Sequence, residues 1–209
     1  MLNFYGLTID DLKAFLSDIG KEQFRAQQLM KWVYEKRITD LEQMTNLSKE
    51  TRALFADKIQ FDLPKMVQHL VSVDGTQKFL FEMYDKNTVE AVIIPAEDRL
   101  TLCISSEVGC NMACKFCFTG KQKLKRRLDA YEIVGQFVEI EDLLKKSDQK
   151  ITNIVFMGMG EPLDNVEAVF KTVDILCHDF GRNFSRRKIT ISTSGIIPEM
   201  WRITKSRAR

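Results

Sequence analysis

Three cysteines, Cys110, Cys114 and Cys117, fall at C-x3-C-x2-C inside the short stretch Val108–Gly120, with Gly109 and Gly120 near its ends. No other feature of the chain constrains it as much. Gaps of two and three residues let three thiolates converge on one small centre, which suits an iron–sulfur cluster. In a four-iron cubane held by three cysteines, one iron lacks a protein ligand and stays open for chemistry. Structural zinc is the competing reading, and it normally requires four closed ligands. The nearest further donors are Cys103 and Cys177, and the only histidines are His69 and His178.

The 209 residues can hold one ordinary domain, or a small one and part of a larger one. With 44% hydrophobic and 29% charged residues the chain has the composition of a globular protein with a substantial core. Met1–Gly6 lacks the basic-then-apolar layout of a signal peptide, and no apolar run approaches a membrane span, so no membrane association is expected. An odd count of five cysteines, three of them in one loop, argues against a secreted disulfide framework and points to a reducing, cytoplasmic compartment. A formal charge of +2 exerts no global pull on nucleic acid. Two local basic runs, Lys121, Lys123, Lys125, Arg126 and Arg127, then Arg182, Arg186, Arg187 and Lys188, are either solvated faces or a phosphate-facing surface.

The first sixty or so residues have helical periodicity. Thr8 followed by Asp11 forms a helix start, and Leu12, Phe15, Leu16 and Ile19 make an apolar stripe that ends at Gly20. A second helix is expected from about Glu22 to Lys36, and Ser48 caps a third. From Lys65 the period becomes that of strands: Met66–Val73 and Thr76–Tyr84 around Asp74-Gly75, then Asn87–Pro95 and Arg99–Ser105. Beyond the cysteine loop, strands Ile151–Met157 and Lys188–Ser192 alternate with helices opening at Asp129 and at Asp164 or Asn165. This is a βα pattern with about three barrel-type strands.

C-x3-C-x-(aromatic)-C, with Phe116 in the aromatic slot, resembles the signature of radical S-adenosylmethionine (SAM) enzymes. The runs Phe24–Gln28, Met44–Ser48, Val89–Pro95 and Met157–Leu163 make the resemblance narrower: the chain is similar to the radical SAM RNA adenine methyltransferases of the RlmN/Cfr family up to about Trp201. The fold implied is α/β, an incomplete radical SAM (βα) partial barrel preceded by a small N-terminal helical domain and a β-hairpin. The division expected is residues 1–62 as a helical accessory domain and 63–209 as a partial radical SAM core. The helical part is either an RNA-contacting domain or a scaffold that packs on its neighbour.

The resemblance also implies roles. Cys110, Cys114 and Cys117 would ligate a [4Fe-4S] cluster whose open iron takes the amino and carboxylate groups of SAM. One electron then cleaves SAM to a 5′-deoxyadenosyl radical, chemistry that belongs to the cofactor. Gly160, Glu161 and Ser192 match SAM-contacting positions; without the resemblance they are a strand-end turn and a cap. Glu90 matches a proton acceptor for product release, otherwise an outward residue on a strand. Cys103 matches a cysteine that assists release through a disulfide, otherwise a small buried residue. The implied reaction is methylation of carbon 2 of adenine in 23S rRNA and tRNA, with carbon 8 as the alternative and a cluster- or zinc-stabilised RNA-binding remnant as another. An electron donor such as flavodoxin and a monomeric state are expected. The family's core has six βα units and a late, methyl-carrying cysteine; neither has a full counterpart here, so a chain truncated at its C-terminus, without complete turnover of its own, is expected.

Overall fold

The computed structural model describes residues 1–207. Its N-terminal strand β1 (Leu2–Asn3) pairs in parallel with β2 (Ile59–Gln60), which closes the helical region on itself. Helix α1 (Ile9–Asp18) starts where expected. The Thr8 hydroxyl accepts the Asp11 N–H at 3.1 Å and the Asp11 carboxylate accepts the Thr8 N–H at 2.9 Å. The chain leaves it at Gly20, whose φ of +67° is a left-handed exit.

The second helix is shorter than its periodicity suggests. Residues 22–24 wind as a tighter i→i+3 turn, with Arg25 N–H on the Glu22 carbonyl at 3.1 Å, before α2 (Arg25–Met30) begins. A wide π turn over Lys31–Glu35 follows, and it lets consecutive Trp32, Val33 and Tyr34 all enter the core. Arg37, at φ +59°, ends it. Helix α3 (Lys49–Lys58) is capped by Ser48, whose hydroxyl accepts the Thr51 N–H at 3.2 Å.

A meander follows: β3 (Lys65–Val71), β4 (Gln77–Glu82), β5 (Thr88–Ala96) and β6 (Arg99–Cys103), all antiparallel. Gly75, at φ +82°, makes the first turn, as Asp74-Gly75 suggested. A two-stranded ribbon, β7 (Glu107–Val108) and β8 (Arg126–Arg127), brackets the cysteine loop. Then come α4 (Ala130–Lys145), β9 (Asn153–Phe156), α5 (Val166–Cys177), β10 (Ile189–Ile191) and α6 (Ile197–Arg207). Helix α6 has Pro198 in its first turn, and its Arg202 pairs with Glu199 at 2.9 Å and Glu167 at 2.7 Å.

The main sheet has the order β10-β9-β6-β5-β4-β3, in which β6, β9 and β10 run parallel. One face is apolar and covered. The register rows Phe79–Ala91, Phe81–Val89 and Ile93–Leu102–Ile154 share a single core with Ile133, Val134 and Phe137 of α4 and Val169 and Val173 of α5. Phe4, Leu29, Tyr34 and Phe55 of the helical region belong to that same core. Half-buried ion pairs reinforce it: Arg37 and Arg182 both grip Glu141, and Arg182 also donates to the Tyr34 carbonyl at 2.7 Å. Among the described residues, no helix is long and apolar enough to cross a membrane.

Beyond β6 the backbone runs between α4 and the next turn with no strand partner on one side. Gln136 fills the gap: its side chain accepts the Ser105 N–H at 2.9 Å and donates to the Ser105 carbonyl at 3.0 Å. Gln136→Leu keeps the volume but orphans both backbone groups, so a loss of about 2–4 kcal/mol is expected in denaturant unfolding. A change within about 0.5 kcal/mol would show that Ser105 finds other partners.

Candidate functional site

The cysteine loop is closed at its base before any cysteine is reached. β7 and β8 pair, the Lys125 N–H donates to the Val108 carbonyl at 2.8 Å, and the Cys110 N–H reaches the Gln122 carbonyl at 3.3 Å. Gly109, at φ +80°, lies so close to the Lys123 backbone that a Cβ would collide with its carbonyl. Gly120 is equally constrained, because a Cβ there would stand 2.9 Å from the Cys114 carbonyl oxygen. Both glycines thus fold the loop onto itself.

Cys110, Cys114 and Cys117 are free and partly exposed on this loop. The Cys110 sulfur accepts the Met112 N–H at 3.4 Å. Burial pushes its thiol above the ordinary range, and that hydrogen bond partly offsets the effect. Phe116 and Phe118 point outward, 93% and 76% exposed. Among the described residues, no three His, Cys, Asp or Glu side chains gather around a single ion. A multi-iron cluster is wider than one ion and takes its donors further apart. Three free thiols on one loop, with an N–H already directed at a sulfur, match that chemistry.

The turn Met157–Glu161 leaves β9 and lies directly against the segment that leads into the cysteine loop. The Ser106 N–H and the Glu107 N–H both donate to the Met159 carbonyl, at 2.9 and 3.2 Å, and the Gly158 N–H donates to the Ile104 carbonyl at 3.1 Å. Gly158 has no room for a side chain, since a Cβ would sit 2.7 Å from the Ile104 carbonyl oxygen. Gly160, at φ +100°, is pressed on Glu107, 2.6 Å from where its own Cβ would be.

Glu161 is 4% exposed, and its carboxylate is engaged within the protein. One oxygen accepts the Leu163 N–H at 3.0 Å; the other accepts the Ser194 N–H at 2.7 Å and the Ser194 hydroxyl at 2.9 Å. It therefore ties the turn after β9 to the turn after β10. Ser192 stands exposed on that second turn.

Glu90 and Cys103 come to the opposite, open face of the sheet. Residues Lys78, Val92, Cys103, Val155 and Thr190 form one register row across β4, β5, β6, β9 and β10. Glu90 is two residues along β5 from Val92, on the same face. Alternation does hold on β5: Val89, Ala91 and Ile93 are buried, while Glu90, Val92 and Ile94 face outward. Apolar residues on both faces had masked it. Glu90 pairs with Lys78 at 2.6 Å. Cys103 is 8% exposed, and burial raises its thiol pKa. Cys177 lies at the end of α5.

The basic runs are partly committed to the fold. Arg126 grips Glu132 through both terminal guanidinium nitrogens at 2.7 Å and holds Asp85 through Nε at 2.6 Å, so the Asp85 carboxyl titrates well below the ordinary range. Arg127 pairs with Asp164 at 2.8 Å and Arg186 with Asp174 at 2.8 Å. Lys121, Lys123, Lys125, Arg187 and Lys188 remain exposed.

Comparison with known proteins agrees with this geometry. Residues 2–61 match the ribosomal RNA large subunit methyltransferase N-terminal domain, and residues 104–206 match the radical SAM superfamily. A dual-specificity RNA methyltransferase RlmN from Bdellovibrio bacteriovorus is 68% identical over 208 residues, covering 100% of this chain and 52% of that protein. The corresponding protein of Geobacter sulfurreducens is 46% identical, covering 99% of this chain and 56% of its own. The crystal structure of a radical SAM methyltransferase from Sphaerobacter thermophilus superposes with a TM-score of 0.87 at 38% identity, over 98% of this chain and 60% of that one. The chain belongs to the RlmN family of radical SAM proteins. Such proteins carry a [4Fe-4S] cluster and use SAM. The chain spans about half the length of the curated relatives it matches.

Several residues that shape the site have no motif to announce them. Ser105, Glu107, Ser194 and Asn165 each act through the backbone. Asn165, one of the two expected openings, is the N-cap position of α5, but its side chain makes no capping bond and its amide donates to the Ser106 and Leu128 carbonyls at 2.9 and 2.7 Å. A charged residue wedged between Ser106 and Val108 was the available hint for Glu107. Replacing Glu161 by Gln turns one accepting oxygen into a donor facing other donors. Glu161→Gln is expected to cost about 2–3 kcal/mol and to speed hydrogen exchange at the Ser194 amide. Unchanged protection of that amide would show that the two turns are held apart from Glu161.

Proposed function

We propose that this chain carries the cluster- and SAM-binding part of an RNA methyltransferase acting on carbon 2 of adenine in 23S rRNA and tRNA. The observation that carries the reading is the joint between two loops. The segment leading into a loop with three free thiols and a glycine-rich turn at a strand end are stitched together by backbone hydrogen bonds at 2.9–3.2 Å. Ligands gather at such carboxyl-terminal strand ends in barrel folds.

In this reading Cys110, Cys114 and Cys117 hold the cluster, and the turn at Gly160 offers its backbone to SAM. Glu161 orients that turn and the Ser194 turn together, and the exposed Ser192 hydroxyl reaches the same cofactor. When bound, the cluster supplies the electron that cleaves SAM. Glu90, held by Lys78, is the proton acceptor for product release, and Cys103 on the same open face is the thiol that assists it. Lys121, Lys123, Lys125, Arg187 and Lys188 are the cations of the two basic runs left to meet RNA phosphates. Residues 1–62 form the accessory unit that contacts RNA, and 63–209 the partial core. The protein works as a cytoplasmic monomer reduced by a donor such as flavodoxin.

Anaerobic reconstitution with iron and sulfide tests this. A brown protein that releases 5′-deoxyadenosine from SAM under a strong reductant is expected. Cys110→Ser, Cys114→Ser and Cys117→Ser should each reduce that release by about a hundredfold or more, as loss of an essential metal ligand does. Residues 1–209 should leave adenine unmethylated, because none of their cysteines matches the family's late methyl carrier. A colourless protein holding one zinc and no sulfide would replace this reading with a zinc-stabilised RNA-binding protein. Addition of 8-methyladenine to RNA would move the specificity to carbon 8.

A further inference from the structure

Glu107 is fully buried, 0% exposed, between the cysteine loop and the turn after β9. One carboxyl oxygen accepts the Glu161 N–H at 2.9 Å. The other is buried and accepts no hydrogen bond; the nearest cation, Arg127, has its Nε 4.0 Å away. Asp164 flanks the same guanidinium, its Oδ1 2.8 Å from the Arg127 Nη2. Two carboxylates cannot share a hydrogen bond unless one is protonated. Arg127 is closer to Asp164, its Nη2 donating at 2.8 Å against 4.0 Å from its Nε to Glu107, so the unpartnered Glu107 oxygen is the one placed to carry the proton.

The remaining charged neighbours do not alter this. The Glu161 carboxylate is turned toward Leu163 and Ser194, and a cluster-bound Cys110 thiolate, further along the chain, would add negative charge that favours the neutral acid. On the other side the aliphatic part of Glu107 fills the space beside Gly160 where a side chain would stand, so the contact is steric as well as polar.

We propose that Glu107 is a positioning residue. As the neutral acid it donates its proton to Asp164 while accepting the Glu161 N–H, and so pins the cysteine loop to the turn that binds SAM. This rests on the reading of those two loops as the cofactor site. Loss of the proton sets two carboxylates against each other at the joint and weakens its hold on the turn carrying Glu161.

The pH dependence has a definite sign. Burial, and then Asp164, raise the Glu107 pKa from 4.5 to about 7, while the Glu161 N–H and Arg127 oppose the rise. The folded state therefore binds this proton more tightly than the unfolded chain. Its contribution to stability is complete below 4.5 and disappears as pH rises through about 7.

The test uses the anaerobically reconstituted chain, with thermal melts and equilibrium dialysis of labelled SAM across a pH series. SAM binding by the unaltered chain should weaken about tenfold between about pH 6 and about pH 8.5, as one deprotonation step allows. Glu107→Gln supplies an amide that donates to Asp164 and a carbonyl that accepts the Glu161 N–H. It should bind SAM with the low-pH affinity throughout, and its melting temperature should lose the decline. Asp164→Asn offers a second route, since its amide can donate to an ionised Glu107; it should flatten both profiles as well. Glu107→Ala should bind weakly at every pH. A Glu107→Gln profile as steep as the unaltered chain's, or SAM binding flat with pH in the unaltered chain, overturns the positioning role alone. Absence of SAM binding in every form, with the melting profiles still flattened by Glu107→Gln, overturns the cofactor reading and the positioning role with it.

Discussion

Residues 104–107 are the seam on which the rest of the structure depends. In this short extension of β6 nearly every polar group is committed to a different element. The Ile104 carbonyl takes the Gly158 N–H, and Ser105 is gripped on its backbone by Gln136. The Ser105 hydroxyl donates to the Glu90 carbonyl at 2.6 Å and accepts the Met159 N–H at 2.8 Å. The Ser106 carbonyl is held by Asn165, and Glu107 binds the turn at Glu161. A buried strand extension without a ladder partner would leave several polar groups unsatisfied, each at a cost of about 1–3 kcal/mol. Here side chains and turn backbones replace the missing strand, and that substitution brings the cysteine loop and the glycine turn into contact.

The arrangement also decides where charge can act. The ribbon that closes the cysteine loop contributes Arg126 and Arg127, and both are engaged by acidic residues of the hairpin turn, α4 and the turn before α5. The dense basic run next to the cysteines is thus less available to a polyanion than its composition suggests. Arg182 is similarly engaged, bridging the helical region to α4. What remains of that run at the surface beside the loop is Lys121, 5.6 Å from the Phe118 ring, Lys123, and Lys125, which donates to the neutral Asn87 side chain at 2.8 Å. Net charge and local run length overstate a basic face whenever neighbouring carboxylates are contributed by distant segments.

Local signals in the sequence carried most of the fold, because they rest on local physics. The Thr8 and Ser48 caps, the Asp74-Gly75 turn, the meander and the three parallel strands all depend on residues close in the chain. The misread elements are those set by distant contacts. The second helix changes winding because three consecutive residues, Trp32, Val33 and Tyr34, are drawn into a core built largely from later segments. Asn165 does open α5 as one of the two expected positions, but its side chain reaches two carbonyls far away in sequence instead of capping. The cysteine triplet and the glycine turn were legible as motifs, but the reason for Gly158 and Gly160 was not. Both are required by packing against residues 104–107, a contact visible only in three dimensions.

The open face of the sheet shows how the two groups of expected site residues are related. Cys103 lies in a row with Lys78, Val92, Val155 and Thr190, at the last position of β6 before the seam begins. The same strand end that places its thiol on the open face continues, within a few residues, to the cysteine loop. Glu90 is joined to that end through the bond from Ser105 to its carbonyl, so a shift in the seam would move Glu90 and Cys103 as well as the glycine turn. Groups contributed by β5, β6 and the turn after β9 are therefore held by one rigid joint. A site that must present several groups to one substrate needs that kind of shared support, because errors of about 1 Å already degrade reactive geometry.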